Sequence, residues 1–322
     1  MSKKYAPIVI KNLTTCPISN RESKVGISDF ARRWTKGGDF AEFLDTLPHI
    51  LAAEDLKRVI TAVADAFANN RRIIFGMGAH VIKVGLNPLV IDLMHRGVFS
   101  AVAMNGAGII HDFELAIAGN TSEDVSATLG SGQFGMTEET GRYLSEAVHL
   151  ANTESLGLGA AVGRMINRNN MPHRDMSILA AADAMGIPVT VHVAMGTDIL
   201  HMHPDFDPGA AGAASHLDFR LFAALVAELS QGVYINAGSA VILPEIFLKA
   251  LTLVRNLGHE ISGITTVNMD FIKHYRPLTN VVNRPTEGGG TGINLVGHHE
   301  IMLPLIAAGI IEKIDKPGQT GV

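Results

Sequence analysis

The stretch that decides the fold is Arg72–Asp124, RIIFGMGAHVIKVGLNPLVIDLMHRGVFSAVAMNGAGIIHDFELAIAGNTSED. Ile73 to Phe75 is a short apolar run that reads as a buried strand, and Gly76-Met77-Gly78 then turns the chain. A helical pattern follows from Ala79 to His95. Within it Asn87-Pro88 is a helix-start signature, Asn as cap and Pro at the first helical position, so two short helices are expected with a break at Asn87. Phe99 to Met104 is a second buried run, Asn105-Gly106-Ala107-Gly108 a second glycine turn, and a further helix is expected from about Ile110. Strand, glycine turn, helix, strand is the βαβ unit of an open parallel sheet. Ligands of such sheets sit beyond the carboxyl ends of the strands, where both glycine turns fall.

The same alternation runs outward from this stretch. Residues 53–69 carry Leu56, Val59, Ile60, Val63 and Phe67 at helical spacing. Helices are expected from Thr137 to Ala151, in the small-residue run Ser155 to Met165, and at 178–185, 216–229, 244–256 and 301–308. Buried strands are expected at 187–191, 233–236 and 261–267. Tyr275 to Asn294 reads as one long loop, a feature that is usually functional inside a compact domain. The whole predicts an α/β fold with a doubly wound, mostly parallel, Rossmann-like sheet. Residues 1–50 read as an N-terminal arm with a strand at Val9 and Ile10, of the kind that wraps a neighbour in an oligomer, and 51–322 as a single domain.

Composition narrows the function classes. A formal net charge of −5 over 322 residues gives no basic footprint for nucleic acid. No apolar run approaches the roughly 20 residues of a membrane span. Cys16 is the single cysteine, so no internal disulfide forms, and with no targeting segment visible a cytoplasmic location is expected.

Four motifs carry chemistry. Gly76-Met77-Gly78, Asn105-Gly106-Ala107-Gly108 and Asn236-Ala237-Gly238-Ser239 each follow a strand. Such turns let a phosphate or ribose approach the backbone beside a helix N-terminus, or are simply tight βα turns; the G-x-G-x-x-G fingerprint fails at Val81. In His111-Asp112-Phe113-Glu114 the carboxylates Asp112 and Glu114 either cap the helix or accept from a ribose. His201-Met202-His203, with Asp198, Asp205 and Asp207 nearby, and His298-His299-Glu300 suit a divalent metal, local hydrogen bonding or substrate contacts. In the 283–292 loop, Arg284 suits a carboxylate or phosphate and Glu287 an amine, with the glycines of a closing lid or of a plain surface loop.

Together these stretches resemble the deoxyhypusine synthase family over about residues 55 to 310, in element order and local pattern. That family builds tetramers of NAD-binding subunits, oxidises spermidine with NAD, and passes the aminobutyl group through an imine on an active-site lysine. The resemblance puts Gly76-Met77-Gly78 at its first NAD-binding turn, and Asn105-Gly106-Ala107-Gly108 with the following acids at its second. Gly196-Thr197-Asp198 is similar to the Gly-Asp loop that contacts the amine. Arg284-Pro285-Thr286-Glu287 is similar to Arg-Pro-Asp-Glu, whose Glu holds the polyamine, and Gly292 to the glycine before the catalytic lysine. The next residue here is Ile293, Thr291 stands in place of the family's tryptophan, and no lysine lies between Leu278 and Glu312. Around Gly238, Asn-Ala-Gly-Ser replaces the family's Gly-Gly-Gly with its paired histidine. Isoleucine cannot form an imine.

The resemblance therefore implies NAD as cofactor, a homotetramer, and altered chemistry on a small, amine-bearing substrate, with an oxidoreductase or a transferase as the form. Asp198, Arg284 and Glu287 are the expected substrate ligands, and His201, His203, His298 and His299 the acid–base candidates. A metal-dependent hydrolase built on the histidine clusters and a non-catalytic dinucleotide sensor are the alternatives.

Overall fold

The computed structural model describes residues 5–314; the outer ends of the expected arm and domain, 1–4 and 315–322, lie outside the described residues. In chain order the elements are α1 (Phe40–Thr46), α2 (Leu51–Ala68), β1 (Ile73–Met77), α3 (His80–Lys83), α4 (Asn87–His95) and β2 (Ala101–Asn105). Then come α5 (Gly106–Ala118), α6 (Val125–Thr128), α7 (Glu138–Glu154), α8 (Leu158–Arg168), α9 (Ile178–Met185), β3 (Val189–His192) and α10 (Pro208–Ala227). The chain closes with β4 (Val233–Ala237), α11 (Ile242–Asn256), β5 (Thr265–Asp270), α12 (Tyr275–Pro277), β6 (Thr291–Val296) and α13 (His299–Ile314).

All six strands are parallel, in the order β3-β2-β1-β4-β5-β6. This is the doubly wound Rossmann order, with its switch point between β1 and β4. Both faces are covered, so the central strands are apolar throughout rather than alternating; β1 and β4 are buried at every residue. One face carries Ile73, Phe75, Met104, Val191 and Ile235 under the α2, α5, α8 and α13 side. The other carries Ile74, Ala103 and Tyr234 under α10 and α11.

Polar groups placed inside this core have fixed partners. Asn236, Asn268 and Asn294 share one register across β4, β5 and β6. Asn236 Nδ2 donates to Asn268 Oδ1 at 2.8 Å, and Asn268 Nδ2 to Asn294 Oδ1 at 2.9 Å. At the open edge of β3, α10 satisfies the outward backbone groups with side chains. Ser215 Oγ donates to Val191 O and accepts from Val193 N, while Asp218 Oδ2 accepts from Val191 N at 2.9 Å and from Gly159 N at 3.1 Å. Asp218 thus ties the edge strand and the first turn of α8 to α10, which removes a free sheet edge.

Several expectations are corrected. The helix placed near Ile110 starts at Gly106, with Asn105 Oδ1 accepting from Gly108 N, so the second glycine turn is the first turn of α5. The break at Asn87 is present, but Asn87 does not cap. Its buried amide donates to Asp112 Oδ1 and Met176 O instead. The long loop 275–294 is replaced by helical turns through residue 286 and by β6. A glycine and an asparagine hide that strand in the sequence. Gly292 is there because a Cβ would lie 2.1 Å from Val282 O. Residues 9 and 10 form no strand, and the segment 5–28 is exposed throughout.

Burial pushes Asp218 up to about 7, against the pull of its backbone donors. Its folded value therefore lies above that of an unfolded aspartate, near about 3.9. Folding takes up a proton between these two values, so the stability from this group is complete at acid pH and lost as pH rises through about 7. Thermal unfolding followed by circular dichroism should show the melting temperature falling between about pH 4 and 7, with Asp218→Asn flattening that part of the curve.

Candidate functional site

The carboxyl ends of β1 and β4 meet in a pinch of two turns. Gly78 N donates to Ala237 O at 2.8 Å, and a Cβ on Gly78 would lie 2.4 Å from Gly238 O. Gly238 itself has φ +71°, the left-handed region that favours glycine. Around this pinch the loops gather two groups of side chains, with α3 between them.

The first group comes from the ends of β1, β5 and β6. His299, fully buried at the start of α13, lies against Gly238, and its ring meets that of His80 edge-on at 5.6 Å. Its Nε2 is 3.2 Å from Met269 O, which only accepts, so the proton sits on Nε2 and Nδ1 keeps a buried lone pair without a partner. Burial holds His299 below the ordinary histidine range, more than the neighbouring Asp270 raises it. Asp270 accepts from Phe271 N and lies 3.7 Å from His274 Nε2. His298 is exposed, its ring parallel to that of Phe271.

The second group surrounds the first turn of α5. The Asp198 carboxylate presses against Gly106, where a Cβ would lie 2.0 Å from Oδ2. That oxygen is buried without a partner, and burial raises the pKa of Asp198. Its loop is closed by His201, whose Nδ1 accepts from Gly196 N at 3.0 Å and Asp198 N at 3.3 Å. A cavity of about 210 Å³ opens here, lined by Lys83, Ala107, His111, Glu114, Glu123 and Asp198 among others. A second, of about 480 Å³, shares Glu114 and Glu123 and adds Glu139. Burial opposes ionisation of Glu114, but hydrogen bonds from His111 and Thr121 outweigh it and hold the carboxyl below its usual range.

The expected site residues divide. Gly78, Gly106, Ala107, Glu114, Asp198 and Gly238 lie at the carboxyl edge around the pinch. His298 and His299 are on that edge after β6, and His201 and His203 follow β3, but no contact among the described residues joins the two pairs. His203 has its Nε2 3.0 Å from Gly135 O and its ring packed on Gly141. Gly76 and Met77 are buried within β1, Gly108 packs on the Met104 side chain, and Asn105 caps α5. Ser239 Oγ accepts from Leu243 N at the start of α11.

Three of the expected ligands sit elsewhere. Asp112 is fully buried and accepts from Ile178 N, Leu179 N, Ser177 Oγ and Asn87 Nδ2. It caps α9 and has no oxygen left for a ribose. Burial pushes it up to about 6 against those bonds. Arg284 and Glu287 precede β6, whose first residue pairs with the first residue of β5, so they lie at the amino edge of the sheet. The six residues of β6 put roughly 20 Å between them and the carboxyl edge. Arg284 there donates to Asn280 Oδ1. Sequence reasoning in turn missed His80 and Asp270 as members of the site. Lys83 had only the signal of an unassigned lysine one turn beyond the first glycine turn.

No protein-family model matches the chain, and no curated protein matches it by sequence. Solved structures share its fold. The ternary complex of AgrE with ornithine and NAD+ aligns over 80% of this chain with a TM-score of 0.54 and 11% identity. The match covers 32% of AgrE, so this chain spans about a third of that protein's length. A protein assigned as LOR/SDH from Methanococcus maripaludis S2 matches with a TM-score of 0.50 and 16% identity, over 82% of this chain and 70% of its own. A chain assigned as a deoxyhypusine synthase from Entamoeba histolytica matches with a TM-score of 0.50 and 12% identity, over 86% of this chain and 94% of its own. At these identities the likeness is one of fold.

The capping role of Asp112 is open to a direct check. Asp112→Ala leaves two helix N–H groups buried without an acceptor and should lower stability by about 2–4 kcal/mol in urea denaturation.

Proposed function

We propose that this chain is an NAD-binding enzyme that acts on a small, amine-bearing substrate, by chemistry other than deoxyhypusine synthesis. The observation that carries the reading is the pinch of Gly78 and Gly238 at the β1–β4 switch point, with an acid-lined cavity opening beside it. Dinucleotides bind at such switch points, and AgrE, which shares the fold, is solved with NAD+.

The residues present fit that cofactor. The two glycine turns, at Gly78 and Gly238, bring bare backbone to the crevice, where a ligand can approach the chain closely. Bound there, NAD supplies a hydride acceptor. The protein's part is to hold the substrate: Asp198 and Glu114 attract an ammonium group to the cavity. The lysine of the resembling family has no counterpart in β6, since Ile293 is 2% exposed and packed in the core.

Among the described residues no three His, Cys, Asp or Glu side chains converge as metal ligands, so no observation favours the hydrolase alternative. A pure sensor would bind NAD without turnover.

We further propose that the arm packs on another copy of the chain in a homo-oligomer, a tetramer by the resemblance. Tyr5, Ile8 and Ile27 are 92%, 90% and 87% exposed, and Ile10, Leu13 and Ile18 are exposed with them. Apolar side chains in such a row mark an interaction surface.

Two measurements test these readings. Calorimetry with NAD should show one site per chain, and adding small amines with NAD should raise absorbance at the wavelength of the reduced nicotinamide. Absence of NAD binding sinks the reading, and binding without reduction by any amine favours the sensor. Light scattering should show an oligomer that Ile10→Asp with Ile18→Asp shifts toward monomer; a monomeric wild type refutes the arm's role.

A further inference from the structure

We propose that the cavity between α3, α5 and the loop carrying Asp198 binds a free α-amino acid, its carboxylate toward Lys83 and its ammonium toward Asp198. This rests on the reading of the site as one for a small, amine-bearing substrate, and narrows the substrate class.

The charges lining the cavity are not equally available. Glu114 accepts from the Thr121 and Thr140 hydroxyls. Glu123 accepts from Gly135 N at 2.7 Å and from the Thr128 hydroxyl at 3.2 Å. Two groups are left over. Lys83 makes no ion pair or hydrogen bond among the described residues, although its side chain lines the cavity. Asp198 lines the cavity as well, with its Oδ2 buried against Gly106 and without a hydrogen-bond partner. A carboxylate short of donors gains from a ligand that supplies one at its other oxygen.

One free cation and one free anion in a single small cavity select a zwitterion. A plain amine would bring a second positive charge to Lys83, and a plain carboxylate would meet three acids with one lysine. Between the charges the wall is apolar, with Ile110, Phe134 and Ile199, which suits an aliphatic side chain. About 210 Å³ is below the size of drug-like pockets, roughly 300 Å³ and up, and holds a single amino acid. Burial raises the pKa of Asp198, and an ammonium seated against it brings it back to the charged form.

The test is calorimetry on the full chain, with and without saturating NAD. It uses L-norleucine and L-lysine as probes, against pentylamine and pentane-1,5-diamine, which lack the carboxylate, and hexanoate, which lacks the amine. At least one of the two amino acids should bind, and its truncated counterparts should bind roughly 10- to 100-fold more weakly, the value of one charge-assisted hydrogen bond. Lys83→Met should weaken the amino acid by the same factor while leaving the amines unchanged. Asp198→Asn should weaken amino acid and amine alike. Melting curves of both variants confirm that they fold. Amines that bind as tightly as the amino acids, or a Lys83→Met variant that binds them unchanged, overturn the proposal and leave an amine site. NAD binding with no amino acid bound in either condition overturns it while the cofactor reading stands; amino acid binding without NAD does the reverse.

Discussion

The pinch between Gly78 and Gly238 is the contact on which the rest of the site depends. β1 and β4 are the two central strands, and the chain departs from them toward opposite halves of the sheet. Their turns touch backbone to backbone, closer than any side chain at Gly78 would allow. That fixes where α3 begins, and so sends His80 to one side of the crevice and Lys83 to the other. Parallel strands in register cannot slip to relieve a clash here, because each is locked to its neighbours along its whole length.

The two flanks are held by buried carboxylates acting as helix caps. Asp112 on α5 caps α9, and Asp218 on α10 caps α8 while pairing with the edge strand β3. Both sit where neutral burial and hydrogen bonding compete. Together they fix the crossover between β2 and β3, from whose far end the Asp198 loop returns to rest on Gly106. His201 then holds that loop by accepting from two of its own backbone amides. The loop that closes the cavity is therefore positioned by interactions remote from it.

The resemblance to deoxyhypusine synthase and the fold neighbours point the same way about architecture. The segment that resembles the family's amine and lysine motif leads into β6 from the amino edge, with Ile293 in the core. The acidic groups that line this cavity come instead from α5, from the loop after it and from the loop after β3. A site assembled from different segments than the motif suggests is consistent with different chemistry on a shared scaffold.

The sequence by itself determined the sheet. Short apolar runs such as Ile73–Phe75 and Val233–Ile235, each followed by glycine and then a helical pattern, admit little besides parallel strands with helices on both faces. It also determined that glycines close the turns at the strand ends, since no other residue allows that backbone approach. It left β6 unseen because Gly292 and Asn294 break the apolar run, and their reasons, Val282 O and the amide ladder from Asn268, lie in other segments. The site residues were legible by type and not by place. Asp112 and Glu114 sit two positions apart on one helix, yet one turns into the core to cap α9 and the other lines a cavity. Arg284 and Asp198 looked like members of one site and lie at opposite edges of the sheet. Only tertiary structure decides such matters, because a strand's direction determines which edge a loop occupies, and a carboxylate's role is set by the donors that packing brings to it.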